Sequence, residues 1–207
     1  MGRNSEGLKI GIMGGTFDPI HYGHLMIAEN AADQFCLDQV WFIPTGNPPH
    51  KETSTISDAK YRCDMLKIAI SGNPKFSLSL REVEDTEVCY TYRTLTALCQ
   101  EFPSNQFYFI MGADSLFEFE TWRKPEIICA KAKILAAVRD HVNEKALERQ
   151  IVCLKEKYQA EIYRLNTPNF SISSHNIRAR VKEGKSIRYL LPENVRDYIA
   201  NKKLYLK

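Results

Sequence analysis

The segment Gly14-Gly15-Thr16-Phe17-Asp18-Pro19-Ile20-His21-Tyr22-Gly23-His24 gathers residues suited to phosphate chemistry. Glycine lets the backbone approach an anion closely, and imidazole donates hydrogen bonds to phosphate oxygens, more strongly when protonated. His21 and His24 stand three positions apart, so at the start of a helix they project toward one side and reach the same phosphate chain. The helix N-terminus adds unpaired N–H groups and a favourable dipole. Singly, each part has an ordinary explanation: Gly-Gly after a strand is usually a turn, Asp-Pro is a common turn pair, and two histidines can be a chance surface pair or half a metal site. Their combination at this spacing argues for phosphate handling. Gly11, Gly14 and Gly15 lack the G-x-G-x-x-G spacing of a dinucleotide fingerprint.

A second candidate lies far along the chain. Ser173 and Ser174 precede an apolar-periodic stretch and suit a helix N-terminus, with Arg178 about one turn inside. The alternative is an ordinary capped helix whose arginine faces water.

The elements that must position these residues alternate. Leu8, Ile10 and Ile12 read as a strand ending at a glycine pair, followed by a helix over roughly Gly23 to Phe35 and a buried strand over Val40 to Ile43 closed by Pro44. The pattern then predicts a helix capped by Ser57 and running to Ile70, a strand over Phe76 to Leu80, a helix over Thr91 to Phe102 and a strand over Gln106 to Met111. Further on come a helix near Pro125 to Cys129, a strand over Lys133 to Val138, a helix over Asn143 to Tyr158, a strand over Glu161 to Leu165 and a helix over Ser173 to Glu183 stopped at Gly184; Pro192 opens the last helix. Strands alternating with helices predict an α/β fold: a Rossmann-like, doubly wound parallel sheet with helices on both faces, and its ligand site at the carboxyl ends of the strands. The expected organisation is a single domain over 1–207, with a core over 9–170 and a small helical C-terminal part over 171–207.

Composition narrows the partners. Lys plus Arg number 28 against 25 for Asp plus Glu, and a net charge of +3 is too small for a nucleic-acid-coating surface. No apolar run approaches the length of a membrane span, and the start lacks a signal-peptide pattern, which predicts a soluble, cytoplasmic protein. Six cysteines lie far apart with no C-x-x-C pair, which reads as reduced thiols. A homo-oligomer is compatible with the sequence, which does not specify one.

On these residues, GGTFDPIHYGH resembles the T/H-x-G-H signature of the nucleotidyltransferase superfamily, most closely that of bacterial-type nicotinate mononucleotide adenylyltransferases. Ile172-Ser173-Ser174-His175-Asn176-Ile177-Arg178 is similar to that family's second signature, I-S-S-T-x-I-R, with His175 in place of the threonine. Asn47-Pro48-Pro49-His50-Lys51, Tyr90-Thr91-Tyr92 and Gly112-Ala113-Asp114 with Trp122 eight residues on also resemble the family, so the likeness runs from about Lys9 to Tyr205.

The resemblance implies adenylyl transfer from ATP to nicotinate mononucleotide, giving deamido-NAD and pyrophosphate in NAD biosynthesis, with Mg²⁺ as cofactor. It implies catalytic roles for His21, His24, Lys51 and Arg178. ATP is expected on Gly14, Gly15, Thr16, Phe17, His21, Gly23, His24, Arg139, Ile172, Ser173, Ser174 and Arg178. The mononucleotide is expected on Thr91, Gly112, Asp114 and Trp122, with Trp122 stacking on the pyridine ring, as a flat aromatic substrate favours. Arg123 stands where the family often has an aromatic residue.

Phosphopantetheine adenylyltransferases and cytidylyltransferases share the first signature, but Gly112-Ala113-Asp114 with Trp122 and the extra length separate this chain from both. The retained histidines and Arg178 argue against a non-catalytic nucleotide sensor, and pyrophosphate release discriminates the two directly. A class I tRNA synthetase fragment would carry a K-M-S-K-S run, and the chain has none.

Overall fold

Ile10 and Ile12 pack into one apolar layer and Met13 into another, the period-two pattern of a strand buried on both faces. The computed structural model describes residues 7–46, 56–85, 87–138, 143–168 and 171–206. Among these residues six strands form one sheet: β1 (Lys9–Gly15), β2 (Gln39–Pro44), β3 (Phe76–Leu78), β4 (Gln106–Gly112), β5 (Lys133–Ala137) and β6 (Ile162–Leu165). Their order is β3-β2-β1-β4-β5-β6, and every neighbouring pair is parallel. The order reverses between β1 and β4, the switch point at whose carboxyl edge open α/β sheets bind ligands. The register sets Gly14 opposite Ile43 and Gly15 opposite Pro44, so the glycine pair ends at that edge.

Helices cover both faces. α1 (Tyr22–Gln34), α2 (Ala59–Ile70), α8 (Ser174–Lys182) and α9 (Glu193–Asn201) bury Ile27, Leu66, Ile177 and Val195 against Val40, Phe42 and Leu135. On the other face, α4 (Thr91–Glu101), α5 (Ala113–Phe117), α6 (Pro125–Lys131) and α7 (Glu144–Tyr158) bury Leu95, Leu116, Ile128 and Leu154 against Ile12, Phe109 and Ile134. A short α3 (Arg81–Glu84) follows β3, and a 3₁₀ turn spans Phe119–Thr121.

The doubly wound parallel sheet predicted from the alternation is present. The cap of α2 is a correction: Asp58, not Ser57, accepts from the Lys60 N–H, while the Ser57 N–H donates to Asp18 at 3.1 Å. Asp58 is the stronger acceptor at the position where the backbone enters the helix. The strand expected to reach Leu80 stops at Leu78, because Leu80 is already the first residue of the turn into α3. Helices α3 and α5 went unpredicted because four and five residues are too few to show a helical period. Among the described residues no helix is long and apolar enough to cross a membrane, and all six cysteines are free.

Candidate active site

The chain leaving β1 folds back on itself before entering α1. Phe17 takes a positive φ of 50° and turns its ring under Gly15, where a Cβ would lie 3.1 Å from that ring. Only glycine fits there without displacing Phe17, which is buried and leans on Phe42. Phe17 also meets His24 edge to face, at 5.0 Å between centroids. His21 is the N-cap residue of α1, and its ring stacks on that of His24 at 3.7 Å. The His21 backbone N–H donates to Nδ1 of His24 at 3.3 Å. A ring nitrogen that accepts carries no proton, so in the neutral imidazole the N–H of His24 is on Nε2.

Gly23 is needed for the same packing. A Cβ there would come within 3.0 Å of the His21 ring and 3.7 Å of the Ile172 carbonyl oxygen. The second contact places the approach to α8 beside the start of α1. Two helix N-termini therefore converge, and their dipoles add at one point.

Asp18 ties these pieces together. It is buried, with Oδ2 accepting from the Ser57 N–H at 3.1 Å and Oδ1 from the Tyr205 hydroxyl at 2.6 Å. Arg178 donates from Nη1 to the Asp18 carbonyl at 2.6 Å, and the Ser174 hydroxyl donates to the Pro19 carbonyl at 2.9 Å. The Ser173 hydroxyl oxygen accepts from the Asn176 N–H at 3.1 Å, capping α8. Both serines and Arg178 thus hold the loop and its neighbouring helix, and a guanidinium with five N–H donors retains capacity for an anion. Burial, then the Asp18 charge and hydrogen bond, push the Tyr205 phenol above its ordinary range.

Across the glycine pair, on the other face of the sheet, lies a cavity of about 210 Å³. Ile12, Ile43, Leu95, Phe109 and Ile128 form apolar walls, with Trp122 beside them. Trp122 stands edge to face with Phe109 at 6.0 Å and tilts against Phe119 at 5.7 Å, which fixes its plane. Thr91 brings the N-terminus of α4 to the cavity, and its N-cap Tyr90 makes no side-chain cap hydrogen bond. Glu82 also lines it, accepting the Thr94 hydroxyl at 2.7 Å. Burial raises the Glu82 carboxyl, while hydrogen bonds from Thr94 and Thr45 draw it back.

The predicted residues therefore fall into groups. Thr16, Phe17, His21, Gly23, His24, Ile172, Ser173, Ser174 and Arg178 share the α1–α8 side, and Gly14, Gly15, Thr91 and Trp122 line the cavity. Gly112 ends β4 as the N-cap of α5, and Asp114 is exposed in the first turn of α5; neither lines the cavity. Lys51, with Asn47 to His50, and Arg139 lie outside the described residues.

Three contributors were not anticipated. Arg62, 2% exposed, donates to the Thr16 carbonyl at 2.8 Å and the Ser57 carbonyl at 3.0 Å, so it braces the loop from α2. Its signal was an arginine three and four positions before Met65 and Leu66, on the apolar face of its helix. Tyr205 and Glu82 carry no local pattern; only the tertiary fold brings them to Asp18 and Thr94.

Residues 12–180 match the family described as cytidylyltransferase-like. The chain is 47% identical over 198 residues to a probable nicotinate-nucleotide adenylyltransferase of Lachnoclostridium phytofermentans, covering 96% of this chain and 99% of the relative. It is 41% identical over 198 residues to one of Moorella thermoacetica, covering 95% and 91%. Among solved structures it is similar to the nicotinic acid mononucleotide adenylyltransferase of Plasmodium falciparum complexed with NaAD. That match has a TM-score of 0.78 at 23% identity over 96% of this chain and 97% of that one, a likeness of fold.

Proposed function

The chain belongs to the cytidylyltransferase-like family, alongside nicotinate-nucleotide adenylyltransferases, and we propose that it transfers the adenylyl group of ATP to nicotinate mononucleotide. An oxygen of the mononucleotide 5'-phosphate attacks the α-phosphorus of ATP, a new P–O bond forms, and the bond to the β-phosphate breaks to release pyrophosphate and deamido-NAD. The observation that carries this reading is the pairing of two compartments across Gly14 and Gly15: two converging helix N-termini with stacked histidines on one side, an aromatic cavity with Trp122 on the other.

No protein nucleophile is needed. The obstacle is bringing two anionic phosphates together, so the protein's contribution is positioning and stabilisation of charge on the bridging and leaving oxygens. His24, with its N–H on Nε2, donates to a phosphate oxygen, and His21 holds its ring in place by stacking. Arg178 and the N–H groups of α1 and α8 receive the leaving pyrophosphate, and Lys51 and Arg139 are assigned to the triphosphate. Trp122 takes the flat pyridine ring, with Thr91 at its edge, and Gly112 and Asp114 are assigned to the ribose side.

Among the described residues no three His, Cys, Asp or Glu side chains gather as a metal cage, and both Asp18 oxygens already accept hydrogen bonds. This donor set fits Mg²⁺ carried on the nucleotide's own phosphate oxygens. Bound there, the ion would neutralise charge on the triphosphate. The free thiols agree with a reducing, cytoplasmic setting.

The test is pyrophosphate release with ATP and Mg²⁺, offering nicotinate mononucleotide, nicotinamide mononucleotide and phosphopantetheine in turn. Release with a pyridine mononucleotide is expected. Release with phosphopantetheine alone would overturn the assignment.

A further inference from the structure

We propose that Arg123 is the residue that selects a pyridine ring bearing a carboxylate over one bearing an amide. The proposal rests on the adenylyl-transfer reading and adds to it the side chain that reads the acceptor.

The cavity is mostly apolar and aromatic, and among the described residues two charged side chains line it, Glu82 and Arg123. They are not committed to each other. Glu82 is held by the hydroxyl of Thr94 at 2.7 Å and by that of Thr45. The Arg123 guanidinium instead lies over the Tyr90 ring, 5.3 Å from its centroid, and among the described residues Arg123 forms no ion pair. The neighbouring cation, Lys124, faces a different ring, that of Tyr92 at 4.9 Å, and does not line the cavity. Among the described residues, Arg123 is thus the cation that the cavity wall presents to an occupant.

Its attachment gives it a defined reach. Trp122 is anchored by its backbone N–H, which donates to the Phe119 carbonyl at 3.1 Å, and Pro125 begins α6 two residues after Arg123. The arginine therefore springs from a short bridge between a fixed ring platform and a helix start. A ring laid against Trp122 presents its substituent to the cavity that the adjacent guanidinium and the α4 N-terminus at Thr91 also line, both of which favour negative charge. A carboxylate accepts the two parallel N–H bonds of the guanidinium fork; a carboxamide offers one acceptor and turns an NH₂ donor toward the fork. An exposed cation–π contact is weaker than a charge-assisted pair, so Arg123 can leave Tyr90 for a carboxylate but gains little by leaving it for an amide.

The experiment is steady-state kinetics of Arg123→Gln and Arg123→Lys, varying nicotinate and nicotinamide mononucleotide separately at saturating ATP and then ATP at a saturating mononucleotide, with thermal melting as the check on folding. Arg123 is exposed, so the fold is expected to survive. In Arg123→Gln, kcat/KM for the acid should fall about tenfold while that for the amide changes by less than about twofold, with KM for ATP unmoved. Arg123→Lys, which keeps the charge without the fork, should fall between. An acid-to-amide ratio unchanged in Arg123→Gln would overturn the proposal, as would an equal loss on both substrates. If Arg123→Gln melts early, Arg123→Lys decides by the same ratio. Wild-type enzyme that releases pyrophosphate with neither mononucleotide would instead overturn the adenylyl-transfer reading beneath it.

Discussion

Tyr205 donates its hydroxyl to Oδ1 of Asp18 at 2.6 Å, joining residues 187 positions apart. Asp18 lies inside the loop that carries the candidate phosphate-binding histidines, and its backbone carbonyl receives Arg178 from α8. The segment after α9 therefore acts as a strap across the loop. Arg62 braces the same loop from beneath, through the Thr16 carbonyl, and Ser57 closes the remaining Asp18 oxygen. The loop is held from α2, α8 and the strap together, as a preorganised anion site requires.

Tyr205→Phe should cost about 1–3 kcal/mol of stability near neutral pH, since it leaves a buried carboxylate oxygen without its donor. The pH dependence has a definite sign. The phenol is raised in the folded state, so its contribution is fully present below the unfolded value of about 10 and is lost as pH rises above it, where the unfolded chain gives up a proton that the native state keeps. The gap between wild type and Tyr205→Phe should narrow above about pH 10. Tyr198, pushed up to about 12 by burial and its bond to Asp64, has the same sign but is present in both proteins and cancels. Urea denaturation at neutral pH and at two alkaline values measures the gap, and a gap that widens with pH would contradict the assignment.

Periodicity made the frame legible. Leu8, Ile10 and Ile12 declared β1, and the spacing of Ala28, Ala31 and Ala32 declared α1, because burial on a sheet or helix face imposes a repeat on the chain. Glycines and histidines at the strand–helix junction were legible for the same local reason. Tyr205, Glu82 and the role of Arg62 were not, because each acts through a partner distant in sequence and leaves its own neighbourhood unmarked. Asp114 is legible through a short motif, but its setting is not: it stands exposed in the first turn of the five-residue helix α5, outside the residues that line the cavity, and its place at the mononucleotide is the ribose side to which it is assigned.

Gly23→Ala should impair turnover through His21. The added Cβ would lie 3.0 Å from a ring that is buried and stacked on His24, so the pair must shift by a few tenths of an ångström. Such a displacement of aligned donors predicts a kcat about tenfold lower with little change in KM for the mononucleotide. Gly72→Ala, where a Cβ meets nothing within 4 Å, controls for the loss of a glycine as such. His24→Ala removes the donor outright and should lower kcat by about 10²-fold. Turnover within a few fold of wild type in a folded His24→Ala protein would remove His24 from the mechanism.

Trp122→Ala should raise KM for the mononucleotide more than KM for ATP. The indole lines the cavity on the face of the sheet away from the histidines, so its loss removes the stacking platform and leaves the α1–α8 site in place. Packing complicates the variant, because Trp122 also supports Phe109 and Phe119 and its truncation loosens that wall. Trp122→Phe separates the two effects: it keeps an aromatic face against Phe109 and should recover most of the mononucleotide affinity, since offset stacking needs a ring rather than an indole. Separate titrations of the two substrates against each variant read the difference. Equal rises in both KM values, or no recovery with phenylalanine, would mean that Trp122 is a structural wall and that the pyridine ring stacks elsewhere.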